Sequence, residues 1–212
     1  TISVPVLDDD LIEAPESIIM SITADAAYGV GTPSAAAVWL TSDEAGLVLA
    51  MGRNTNGQLG DGSTTDSNVP VTVSGAGTSN VVAVAAGTFQ SLFLKADGSL
   101  WAVGYNGFGE LGDGSITERH LPVAVSGAGT SGVVAVAGYQ YFSLFLKADG
   151  ALWAMGDNSY GQLGDGSNTN SNVPVAVSGA GSSGVVALAA GNSHSLFLKA
   201  DGALWAMGDN SY

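Results

Sequence analysis

Residues 153–166 read Trp-Ala-Met-Gly-Asp-Asn-Ser-Tyr-Gly-Gln-Leu-Gly-Asp-Gly, and 52 residues earlier the same frame reads Trp-Ala-Val-Gly-Tyr-Asn-Gly-Phe-Gly-Glu-Leu-Gly-Asp-Gly over 101–114. Trp205 opens a third copy, and Gly52, Gly104, Gly156 and Gly208 keep the same 52-residue step. Aligned without gaps, 105–156 and 157–208 agree at 36 of 52 positions, so the chain consists largely of tandem copies of one unit.

One unit resolves into short apolar runs between turn residues. Residues 81–86 (VVAVAA) and 91–95 (SLFLK) are two such runs. Ala96-Asp97-Gly98 follows as a tight turn, with glycine where a positive φ is required. Residues 99–103 (SLWAV) return, a polar loop covers 104–106, and 109–114 carries Gly-Glu-Leu-Gly-Asp-Gly. Pro122 opens a last strand over 123–126, and Gly127-Ala128-Gly129 closes the unit. Runs of five or six residues are too short for helices. Four short strands per unit give an all-β chain in which each unit has the size of one β-propeller blade. A β-solenoid is the structural alternative, but its rungs are usually far shorter.

Composition agrees. Gly supplies 31 of 212 residues, about twice ordinary usage. Apolar residues make up 46% and charged residues 11%, which is enough to build a core. Nineteen acidic against five basic side chains give a net charge of −14. Arg53, Lys95, Arg119, Lys147 and Lys199 stand singly, whereas a nucleic-acid surface needs clustered cations. Nucleic acid is therefore not expected as a partner, and a basic protein surface is the easier electrostatic match. No apolar run reaches the length of a membrane-spanning helix, so no membrane insertion is expected. Cysteine is absent, which excludes disulfides and thiolate metal sites. The chain reads as part of a longer protein, because three blades on their own leave two apolar faces uncovered.

The motifs resemble the repeat of the regulator-of-chromosome-condensation family. They are Ala-Ala-Gly191-Asn-Ser-His194-Ser-Leu-Phe-Leu, Asp201-Gly202 with Leu-Trp205-Ala-Met-Gly208, and Gly156 to Gly166 followed by Val173-Pro174. The resemblance implies a propeller over 43–212, in about three repeats with the last one truncated. The family's His is matched only by His194, with Gln90 and Phe142 at the corresponding positions.

Residues 1–42 fall outside the repeat. Runs 2–7, 17–23 and 35–40 read as strands, and an acidic stretch, Asp8-Asp9-Asp10-Leu-Ile-Glu13-Ala-Pro-Glu16, separates the first two. This resembles the C-terminal part of a Calx-beta sandwich, a calcium-binding module of extracellular and surface proteins. The resemblance implies Ca2+ ligation by Asp8, Asp9 and Glu13, joined by Asp43 from the family's second acidic cluster. Calcium takes about 6–8 oxygen ligands, which clustered carboxylates can supply. Two other readings stay open: the acidic stretch as a solvated turn, and 35–46 as part of the first blade, since 40–52 also matches the repeat's own hairpin.

Enzymatic chemistry finds little footing. Gly107-Phe-Gly109-Glu-Leu-Gly112 satisfies GxGxxG, but no helix follows, and position 107 is Thr55 and Ser159 in the other copies. His120 and His194 are the only histidines, and neither spacing suits zinc or a catalytic triad. The Asp-Gly pairs are read as turns and the tryptophans as core. Positions that differ between copies carry the functional signal, because loops on a rigid array are where binding evolves. Residues 115–121 read SITERHL against STTDSNV and SNTNSNV, and Tyr105, Phe108, Tyr139, Tyr141 and Phe142 enrich the second copy in aromatics. Tyr105, Phe108, Arg119, His120, Tyr139 and Tyr141 are thus the expected protein-binding residues.

The expectation from sequence is a non-catalytic binding scaffold, extracellular or on a cell surface, of bacterial origin, with calcium at its acidic N-terminal loop. The alternatives are a regulator of a small GTPase of the guanine-nucleotide exchange type, which the family resemblance implies, and an inhibitor of a secreted enzyme such as a β-lactamase.

Overall fold

The computed structural model describes residues 17–21, 35–39, 48–179 and 183–211. The chain divides into two compact units, Thr1–Ala45 and Gly46–Tyr212. In the first, strands β1 (Ser17–Ser21) and β2 (Ala35–Trp39) pair antiparallel, with Ser17 opposite Trp39 and Ser21 opposite Ala35. The strand expected over 2–7 and the carboxylates Asp8, Asp9, Glu13 and Asp43 lie outside the described residues.

The second unit is a series of antiparallel sheets. Strands β3 (Leu49–Gly52) and β4 (Ser67–Thr72) make a pair. Next come β5 (Val81–Ala86), β6 (Gln90–Lys95), β7 (Leu100–Gly104) and β8 (Arg119–Ala124) as a four-stranded meander. Strands β9 (Val133–Gly138), β10 (Phe142–Lys147), β11 (Leu152–Gly156) and β12 (Ser171–Ala176) repeat it. Strands β13 (Val185–Ala190), β14 (His194–Lys199) and β15 (Leu204–Gly208) form a three-stranded sheet of the same order. These are blades of a partial β-propeller, and the described strands carry no helix between them.

The copies agree to the residue in register. Leu49 faces Thr72 and Gly52 faces Ser67, as Trp101 faces Ala124 and Gly104 faces Arg119, with a bulge at the same step in both pairs. The last strand of the unit starts earlier than the proline suggests: Arg119, His120 and Leu121, read from sequence as loop, belong to β8. Proline lacks an N–H, but β8 is an edge strand, so Pro122 can sit inside it without costing a ladder bond.

Alternation along each second strand explains the stacking. Phe93 of β6 faces back, packing with Val73 and Val103 toward β3 and β4. Leu92 and Leu94 face forward and pack with Phe145 and Met155 of the following sheet. One copy on, Leu144 and Leu146 pack with Phe197 in the same way. Each seam is therefore built from two successive copies. Hydrogen bonds follow the same rule: the Ser91, Ser143 and Ser195 hydroxyls donate to the carbonyls of residues 58, 110 and 162 in the preceding copy, at 2.8–2.9 Å.

Trp101 and Trp153 are half-buried and Trp205 is exposed, and the first two show why the closing turns carry glycine. A Cβ on Gly77 would sit 2.3 Å from the Trp101 ring, and one on Gly129 would sit 2.5 Å from that of Trp153. Gly98 has φ 77°, as the tight-turn reading requires.

Candidate functional site

The loop that follows the third strand of each blade is held by one buried asparagine. Asn106 has no exposed surface. Its Oδ1 accepts the Leu111 N–H at 3.0 Å, and its Nδ2 donates to Asp113 Oδ1 and to the carbonyls of Ser115 and Thr117 at 3.1–3.2 Å. Asn54 and Asn158 repeat the arrangement with Asp61 and Asp165. The Asp-Gly pairs at 61–62, 113–114 and 165–166 are thus more than turns, because each of their aspartates also anchors the asparagine that organises its loop. Burial pulls the Asp113 pKa upward, but hydrogen bonds from Ser115 and Arg119 outweigh it and leave the carboxyl below its ordinary value.

On this framework the middle copy gathers aromatic rings. Phe108 and Tyr141 lie 4.9 Å apart between centroids, Phe89 and Tyr141 5.6 Å, and Tyr105 and Tyr141 5.8 Å. Tyr105 also meets Phe89 at 6.2 Å and Phe108 at 6.4 Å, so four rings form one cluster. All four are half-buried, and the Arg53 guanidinium lies 5.4 Å from the Phe89 centroid, a cation–π distance. The rings come from three segments: the turn after β5, the loop after β7 and the turn after β9. Burial raises the Tyr105 pKa, and the nearby Glu110, Tyr141 and Glu118 add to the shift.

Glu110 lies fully buried beside this cluster. Its Oε2 accepts the Phe108 N–H at 2.9 Å, while its Oε1 has no hydrogen-bond partner. Burial pushes its pKa from an ordinary 4.5 up to about 8; hydrogen bonds from its own loop oppose the shift and the charge of Asp157 adds to it.

Of the residues expected from sequence, Tyr105, Phe108 and Tyr141 are brought together. Tyr139 is 41% exposed and makes no ring contact with the four. Arg119 folds back along the surface of its own loop, bonded to Asp113 Oδ2 at 2.7 Å. His120 reaches Glu118 Oε1 at 2.8 Å, and Glu118 in turn accepts from Asn56 of the preceding copy at 2.8 Å. Those two hydrogen bonds lower the Glu118 pKa. Phe142, counted with the aromatic set, is core with no exposed surface, because its position inside β10 points it into the seam. Phe89 was missed, although it occupies the position of Tyr141 one copy earlier. Among the described residues, no group of three or more His, Cys, Asp or Glu could hold a metal.

Comparison with known proteins places the repeat. A model described as "Regulator of chromosome condensation (RCC1) repeat" matches residues 45–94, 97–146 and 149–198. A second with the same description matches 81–110, 133–162 and 185–212. The ultraviolet-B receptor UVR8 of Arabidopsis thaliana is 33% identical over 167 residues, covering 79% of this chain and 38% of the receptor. The RCC2 homolog of Danio rerio is 34% identical over 139 residues, covering 66% of this chain and 28% of that protein. Among solved structures, Prp20p from Saccharomyces cerevisiae superposes with a TM-score of 0.64 at 23% identity, covering 77% of this chain and 41% of that one, a likeness of fold alone. The chain thus spans well under half the length of these relatives.

These matches overturn the expected extracellular, bacterial scaffold. Its extracellular part came from the Calx-beta resemblance of residues 1–42, and the family matches begin at residue 45. The repeat that carries the likeness leads instead to an ultraviolet-B receptor of a plant and an RCC2 homolog of a fish. The Calx-beta resemblance gains no support from them.

Proposed function

Because the chain belongs to the regulator-of-chromosome-condensation repeat family, we propose that it is a regulatory segment that docks another protein on the loop rim of its stacked sheets, in the manner of the family's guanine-nucleotide exchange factors. The supporting observation is the cluster of Phe89, Tyr105, Phe108 and Tyr141, four half-exposed rings, of which Tyr105 and Phe108 stand on the loop held by buried Asn106. Aromatic side chains fixed in place before contact lose little entropy on binding and dominate the energy of many interfaces. The net charge of −14 favours a basic face on the partner.

The solved relative Prp20p is titled for its binding to Gsp1p and histones. A small GTPase is accordingly the first partner to try. Nucleotide release from a panel of small GTPases, with and without the protein, tests the exchange reading. Acceleration that Tyr141→Ser abolishes supports it. Unchanged release across the panel, together with no retention of any of these GTPases on the immobilised protein, overturns it.

A further inference from the structure

Three copies of the same loop differ at one buried position. It holds Gln58, Glu110 and Gln162 in turn, all nearly or fully buried. Each uses one side-chain oxygen alike, accepting the N–H of the residue two before it: Asn56, Phe108 and Tyr160, each at 2.9 Å. They differ at the other terminal atom. Gln162 Nε2 donates to Asp157 Oδ2 at 2.8 Å, and Gln58 Nε2 points to the Thr88 carbonyl at 3.5 Å. Glu110 has an oxygen there, buried and without a partner. A carboxylate cannot donate, whereas a neutral carboxylic acid can.

We infer that Glu110 is a proton-dependent support for the aromatic rim: as the neutral acid it can present a donor where Gln58 and Gln162 present theirs, and on losing its proton it loosens Tyr105, Phe108 and Tyr141. The functional part of this rests on the rim being the docking surface; the proton dependence itself does not. The groups that face Glu110 leave its charge uncompensated. Asp157, from the segment after β11, repels it. Tyr105 of its own loop is neutral at ordinary pH, and Ser143 of β10 bonds only its backbone carbonyl. Glu118, near Tyr105, is a further anion and is engaged with Asn56 and His120. The ion pairs among the described residues are Arg119–Asp113, His120–Glu118 and Lys147–Asp149, and none includes Glu110. A buried, unpaired carboxylate is costly, so the fold favours the proton.

The linkage has a definite sign. A carboxyl whose pKa is higher in the folded chain stabilises fully below its ordinary value of 4.5, and that contribution is lost as pH rises toward about 8. Glu110→Gln removes the titration while keeping the shape. Thermal unfolding of the wild type and E110Q is compared from about pH 4 to pH 9. The two midpoints should agree near pH 4, and the wild type should fall behind by about 4 °C or more at about pH 8.5. In parallel, the Phe108 amide resonance should titrate with a midpoint near 8, accompanied by the Tyr105 and Tyr141 rings, while the Asn56 and Tyr160 amides, bonded to glutamines, serve as internal controls. A Phe108 midpoint in the ordinary glutamate range, rings that ignore it, or a pH-independent difference between wild type and E110Q overturns the inference. A midpoint near 8 with GTPase retention unaffected by Tyr141→Ser would instead remove the docking reading and leave this one standing.

Discussion

The loop rims of the second and third blades share a framework and diverge on their surface. Asn106 and Asn158 make the same bonds to Asp113 and Asp165, and Leu111 and Leu163 fill equivalent core sites. Above that framework Tyr105 becomes Asp157, Phe108 becomes Tyr160, Glu110 becomes Gln162 and Tyr141 becomes Ser193. The consequence is visible at Tyr160, which is 53% exposed, whereas its counterpart Phe108 packs on Tyr141. The lesson is that a repeat can hold its scaffold fixed and vary chemistry at four positions of one rim.

The comparison breaks hardest at what the blades share. Phe145 spans the seam between second and third sheets with no exposed surface, and Phe145→Ala should cost about 3–5 kcal/mol in urea unfolding. Exchanging the buried position sharpens the contrast. Gln162→Glu places a carboxyl beside Asp157, so the variant should lose about 1–3 kcal/mol at pH 8 and regain it toward pH 5, read from urea midpoints at both pH values. Erasing the aromatic difference with Tyr141→Ser, the residue of the third copy, should weaken partner retention about tenfold while leaving stability within about 1 kcal/mol, measured by titration calorimetry and unfolding. Smallest is Arg119→Ser, again the third copy's residue. Arg119 is 38% exposed, so the loss should be about 0.5 kcal/mol and shrink in salt. Asp113 is held below its ordinary pKa, a contribution present above that value and lost as pH falls, so this variant should also be less sensitive to acid.

The sequence made the blade legible because periodicity is a strong signal: a Trp, Gly and Leu frame at a constant step fixes strand order without any contact information. Where the reading failed, local chemistry had hidden a tertiary fact. Pro122 looks like a strand opener, yet an edge strand tolerates it in mid-run, so β8 begins at Arg119, three residues before the proline. Phe142 looks like its neighbour Tyr141, and only the start of β10 at Phe142 sends that ring into the seam, while Tyr141, in the turn before the strand, stays at the rim. Phe89 stands outside the aromatic-rich second copy, and only its 52-residue offset from Tyr141 ties it to the cluster. Glu110 sat in plain view between two glutamines, but its meaning depends on burial, which spacing does not reveal.

The seams carry one more implication. No copy owns a core: Phe145 of one is completed by Leu92 and Leu94 of the one before. Under load or heat the array should therefore come apart as a zip does, tooth by tooth, each step releasing one seam's worth of greasy contact and leaving the remaining seams intact.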